Sequence, residues 1–225
     1  MDDVIHINLG AYNTNTHSIG THTVRIWSHM LASVHWMFNK QIPGNFLIQH
    51  GISITLINNM AIALEGFIAD VCWEYAQNKP NLASLISDID NMTWQKKSKL
   101  YDRLFAKKLC DYFGYDGISA LINFRNNLAH ARTYTELSKR ELTGTAVSEI
   151  ETENKGYHDL REYLIKNGLL KRGTIPSNVE VPWKIETAMH FVGLTEHYME
   201  NILRENESDN NLGIATEFKL ARACK

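Results

Sequence analysis

The stretch RNNLAHAR, residues 125 to 132, places a guanidinium, a carboxamide and an imidazole within about two turns of one helix. These groups suit phosphate chemistry without a metal. A fixed positive charge stabilises a phosphorane oxyanion. Histidine, which ordinarily titrates near neutrality, can take or give the proton. Residues 125–130 are therefore either a catalytic site or a helix end that happens to hold an arginine and a histidine.

A helical wheel shows what must position them. Over residues 117–132, Ile118, Leu121, Ile122, Leu128 and Ala129 fall on one face, and Arg125 lies near the middle of it. An unpaired guanidinium in an apolar stripe costs several kcal/mol or more, so it needs a partner. That partner is a ring of carbonyls, an incoming phosphate, or a carboxylate, with Glu65 and Asp70 of the apolar helix as the candidates and His130 then a polar cap. Asn126 and His130 are four apart and neighbour each other on the flank of the stripe. Arg125 and His130 are about 140° apart, yet both can reach a groove beside the last turn. A symmetric second copy would bring two such sets into one cleft.

The elements around this helix are also legible. Residues 1–20 are polar and irregular, an N-terminal arm. A helix is expected over 23–39, ended by Pro43 and Gly44. The next, over 46–77, is apolar on most sides (Ile52, Leu56, Met60, Ala63, Phe67, Val71), the mark of a central buried helix. A short helix is expected over 82–90 and an amphipathic one over 95–112. On the latter, Lys96, Lys99, Arg103 and Lys107 form a basic band, either a phosphate-contacting surface or a solvated lysine face. Asp116 stands at the N-cap position of the motif helix. Residues 134–182 read as an insertion holding one short helix over 158–167 that Gly168 stops. A long helix follows over 183–206, and then a tail, 207–225. The expectation is an all-α bundle forming one domain over 21–206.

Composition narrows the function classes. The chain has 225 residues, is 44% hydrophobic and 21% charged, and carries a net charge of −2, so any nucleic acid must be held by a local patch. Its three cysteines, without CxxC spacing, argue against a disulfide framework or a zinc site, and fit the cytosol. The N-terminus has no signal-peptide pattern. From Gln41 to Leu64 there is no Asp, Glu, Lys or Arg, but the polar residues within that stretch favour a buried helix over a membrane span.

Other constellations are weaker. His22, His29 and His35 share one predicted helix or its approach, and His190 and His197 share a face seven residues apart. Neither set has compact metal-ligand spacing, so no metal or cofactor is expected. Trp27, Trp36, Trp73, Trp94 and Trp183 read as core or interface residues rather than a base-stacking platform.

RNNLAH matches the R-x(4–6)-H signature of HEPN domains, and ALEGFIADVCWEYA resembles the LE-x-F helix of HEPN-like proteins. The resemblance covers about residues 46–134. It implies a metal-independent endoribonuclease, homodimeric, of the kind found in toxin–antitoxin and defence systems, with a cognate antitoxin as a partner. Carried over, Arg125 would hold the scissile phosphate, His130 would be the general acid or base, and Asn126 would orient one of them. Lys96, Lys99, Arg103, Lys107 and Arg132 would contact RNA. Some members carry a tyrosine two residues after the histidine, where this chain has Arg132. Other members are non-catalytic modules that bind protein or nucleic acid, which is the alternative reading.

Overall fold

The computed structural model describes residues 25–40, 45–77, 79–86, 88–128, 136–138, 150–152, 155–171, 184–206 and 212–224. The fold is an all-α bundle. In chain order the helices are α1 (Ile26–Phe38), α2 (Phe46–Gln77), α3 (Trp94–Leu104), α4 (Tyr115–Leu128), α5 (Lys155–Lys166), α6 (Ile185–Glu205) and α7 (Leu212–Arg222). Two short strands, β1 (Glu136–Ser138) and β2 (Ile150–Thr152), pair antiparallel with Leu137 opposite Glu151. The N-terminal arm, 1–20, lies outside the described residues.

Helix α2 is the hub, packing against α1, α3, α4 and α6. Leu56, Ile57, Met60, Leu64, Phe67 and Ile68 are completely buried, so the helix is covered around most of its circumference. By length and composition alone, Ile48–Gln77 could also cross a membrane, and 56% of its most apolar window is buried inside the fold. Gly66 sets the approach of α1, because a Cβ there would come within 2.9 Å of Trp27 Cβ. The resulting contact is tight: Trp27 packs edge-on against Phe67 at 5.3 Å, and its Nε1–H donates to Asp70 Oδ2 at 2.7 Å.

Four features differ from the sequence expectation. The basic helix expected over 95–112 ends at Leu104. Asp102 Oδ1 accepts from the Leu109 N–H at 3.0 Å, and a 3-10 turn follows at Leu109–Asp111. Tyrosine hydroxyls then hold that segment against α6. Tyr198 Oη donates to the Leu109 carbonyl at 2.6 Å, Tyr101 and Tyr112 hydroxyls are 2.9 Å apart, and Asn206 Nδ2 donates to Tyr101 Oη at 2.7 Å. These buried polar groups satisfy one another, which continuing the helix would not allow. Residues 82–90 likewise form 3-10 turns, at Ala83–Leu85 and Ile89–Asn91, rather than one helix.

The third difference is Asp116, which lies inside the first turn of α4 rather than capping it, because α4 starts at Tyr115. An acidic residue there still complements the helix dipole. The fourth is the expected tail, most of which is α7, docked on α1. Ile214, Phe218 and Ala221 are buried, and the Phe218 ring lies 6.4 Å from Phe67. Within the expected insertion, α5 packs along α4 through buried Leu160 and Leu164, and Gly168 (φ +70°) ends it.

Candidate functional site

Of the apolar stripe of α4, Ile118, Leu121 and Ile122 are buried, as is Phe124, while Ala129 lies outside the described residues. Arg125 emerges at the last turn of α4, where its Nη2 is ion-paired with Glu65 Oε1 of α2. The two side chains are 20% and 17% exposed, so the pair sits at the edge of the core rather than in its depth. Glu65 is one of the two partners anticipated for Arg125. The other, Asp70, lies 3.3 Å from Arg25 Nε instead. Arg125 Nε is buried and has no hydrogen-bond partner among the described residues. His130 and Arg132 lie outside those residues.

Asn126, the next residue, is exposed and points a different way. It lines an open cleft of about 590 Å³ between α3, α4 and α5. One wall is α4, which contributes Tyr115, Ser119, Asn123 and Asn126, a polar stripe at helical spacing. The facing wall is α3, through Trp94, Gln95, Ser98, Lys99 and Asp102, and Asp159 of α5 closes one side. Asn123 Nδ2 donates to Asp159 Oδ2 at 3.5 Å.

The basic residues divide. Lys96, Lys99 and Arg103 are exposed on α3. Lys107 lies beyond the end of α3, so it is not part of that helical band. It pairs with Glu205 Oε1 at 2.7 Å and sits 4.3 Å above the Tyr112 ring.

Three ionic or polar nodes were not foreseen from sequence. Arg25, at the start of α1, pairs with Asp70 and Glu74 of α2 and with Glu217 of α7, the last at 2.8 Å. Burial works against the Arg25 charge, but Glu217, Asp70 and Glu74 outweigh it and raise the pKa. Burial also raises the Asp70 carboxyl, against the Trp27 and Arg25 contacts that lower it. His35 of α1 pairs with Glu196 of α6, and Arg222 of α7 lies 3.7 Å from the same carboxylate. Tyr163 Oη lies 2.9 Å from His190 Nε2, and burial lowers the imidazole pKa and raises that of the phenol. The partners in each node come from helices far apart in the chain, so no local spacing could reveal them.

Of the histidines singled out from sequence, His35 has its carboxylate, His190 its tyrosine, and exposed His197 an edge contact with Phe113 at 6.1 Å, while His22 lies outside the described residues. Among the described residues, no three His, Cys, Asp or Glu side chains converge as a metal site. Trp27 and Trp94 are core residues, and Trp36 and Trp73 are exposed on the surface. Burial pushes the Cys72 thiol up to about 12, so it is not a nucleophile at neutral pH.

Compared with protein-family models, curated proteins and solved structures, the chain matches none.

Proposed function

We propose that the chain is a metal-independent endoribonuclease of the HEPN type, acting as a cytoplasmic homodimer in a toxin–antitoxin or defence setting with a cognate antitoxin. The observation that supports this is the end of α4. Arg125 is anchored at the edge of the core while adjacent Asn126 opens into a polar cleft. A guanidinium carries five N–H donors in a planar fork, so one arm can hold Glu65 while another meets a phosphate. In this reading Glu65 orients Arg125. His130 removes the proton from a ribose 2′-hydroxyl, which attacks the adjacent phosphorus. The 5′-oxygen leaves and takes up a proton from water, giving a 2′,3′-cyclic phosphate and a 5′-hydroxyl. Arg125 neutralises the charge that builds on the phosphorane.

The Arg125–Glu65 pair also favours a second reading. A cation already neutralised by a carboxylate is a weaker phosphate anchor, which suits a non-catalytic HEPN-like module that binds protein or nucleic acid through the same cleft.

The test is cleavage of single-stranded RNA in EDTA by wild type, Arg125→Ala and His130→Ala. The ribonuclease reading expects cyclic-phosphate ends from wild type and a loss of at least about 100-fold in each variant. Equal cleavage by all three would remove the assigned roles. No cleavage of any RNA by wild type would leave the binding module.

A further inference from the structure

We infer that the groove between α3 and α4 is a channel for single-stranded RNA that reads base edges, with phosphates tracking along its α3 rim. This rests on the ribonuclease reading for its biological role, but not for its geometry.

The α4 wall runs from Tyr115 to Asn126, about 16 Å at 1.5 Å per residue, and ends one residue from Arg125. That length accommodates a few nucleotides rather than a single small metabolite, and the groove is open along its side. Its lining is poorly suited to phosphate. Among the described residues of the lining, one cation, Lys99, stands against two carboxylates, Asp102 and Asp159. Asp159 faces Asn123 from α5, and Asp102 is fixed by the Leu109 N–H. From these side chains a phosphate inside would meet net negative charge.

A nucleobase would not. Carboxylates accept from base amino and imino groups, amides of Asn and Gln both donate and accept, and RNA is read in this way when its bases are unstacked. Ser119, Asn123 and Asn126 on one wall and Gln95 and Ser98 on the other provide such groups. Tyr115 and Trp94 add aromatic surface to the lining.

The phosphates have their own place. At about 100° per residue, the groove-lining face of α3 ends at Lys99, and Arg103 and Lys96 follow directly around the helix. Both are exposed. These three cations therefore border the groove on its solvent side, while Leu100 and Leu104 face the core. Bases inward and backbone outward is the arrangement this division of charge supports.

The probe is a set of four 5′-labelled eight-nucleotide RNA homopolymers, with binding read by fluorescence anisotropy in EDTA at two salt concentrations, and cleavage read on gels in parallel. Wild type should prefer one base over the weakest by about tenfold or more. Asn123→Ala should bring the four affinities within about threefold. Gln95→Ala, an exposed position on the opposite wall that folding does not depend on, should narrow the preference as well. Lys96→Ala/Arg103→Ala should weaken all four oligomers about equally and flatten the salt dependence. Equal wild-type affinity for all four RNAs would overturn the inference. So would a preference that both Asn123→Ala and Gln95→Ala leave intact. Base-selective binding without cleavage keeps the channel and removes the ribonuclease; cleavage that is indifferent to these variants does the reverse.

Discussion

Glu65 of α2 and Arg125 of α4 are ion-paired where the two helices meet, joining the most buried helix to the end of the candidate motif. The pair makes a structural and a chemical role for Arg125 separable. Arg125→Ala leaves Glu65 mostly buried without its cation and should cost about 2–3 kcal/mol by thermal or urea unfolding. The exchange Glu65→Arg/Arg125→Glu should recover much of that stability, because the pair is retained with its ends reversed. RNA cleavage should stay at the level of Arg125→Ala, since the cation now projects from α2. An exchange variant that cleaves like wild type would end the phosphate-binding role of Arg125.

Gly117 of α4 packs directly against Tyr163 of α5 and Leu194 of α6. A Cβ at that position would collide with Tyr163 Oη and come within 2.5 Å of Leu194 Cδ2. Gly117→Ala should therefore destabilise by about 1–3 kcal/mol. It should also disturb the hydroxyl–imidazole contact between Tyr163 and His190, visible as a shift of the His190 ring resonances. Unchanged stability would mean that α5 can move away from α4 freely.

Stability should fall on the acid side through His190. Burial holds its imidazole pKa below the ordinary 6.5. Above 6.5 both folded and unfolded states carry it neutral, and its contribution is intact. As the pH drops below that value the unfolded chain binds the proton first, and stability is lost. His190→Gln should give a shallower decline between pH 7 and pH 5 in urea titrations. Some slope should remain from His50, lowered by burial and by Lys184. An identical pH profile for wild type and His190→Gln would contradict the assignment.

Helix α7 should be integral rather than a dispensable tail. Phe218→Ala should cost about 3–4 kcal/mol, as expected for a buried ring. Truncation before Leu212 should cost more, since it also takes Glu217 from Arg25 and Arg222 from Glu196. A truncated chain that melts with the full-length protein would show that α1 and α2 do not need this cover.

What the sequence determined by itself was the helical periodicity and the conflict within it. The all-round apolarity of α2 identified the central helix, and its limits, Phe46–Gln77, agree with the expected 46–77. Arg125 within an apolar stripe required a partner on energetic grounds alone, and Glu65 was one of the two carboxylates within reach. The tertiary structure decided which: Arg25 and Trp27 engage Asp70 because Gly66 lets α1 approach α2 at that level. It also decided where α3 stops. Residues 105–112 carry an amphipathic pattern without glycine or proline, so local preference continues the helix. The helix gives way where the Leu109 N–H donates to Asp102 and its carbonyl accepts from distant Tyr198, with Asn206 donating to the Tyr101 hydroxyl. The docking of α7 and the cleft beside Asn126 are decided in the same way. Periodicity records which face of a helix is apolar, whereas the choice of neighbour depends on packing between segments far apart in the chain.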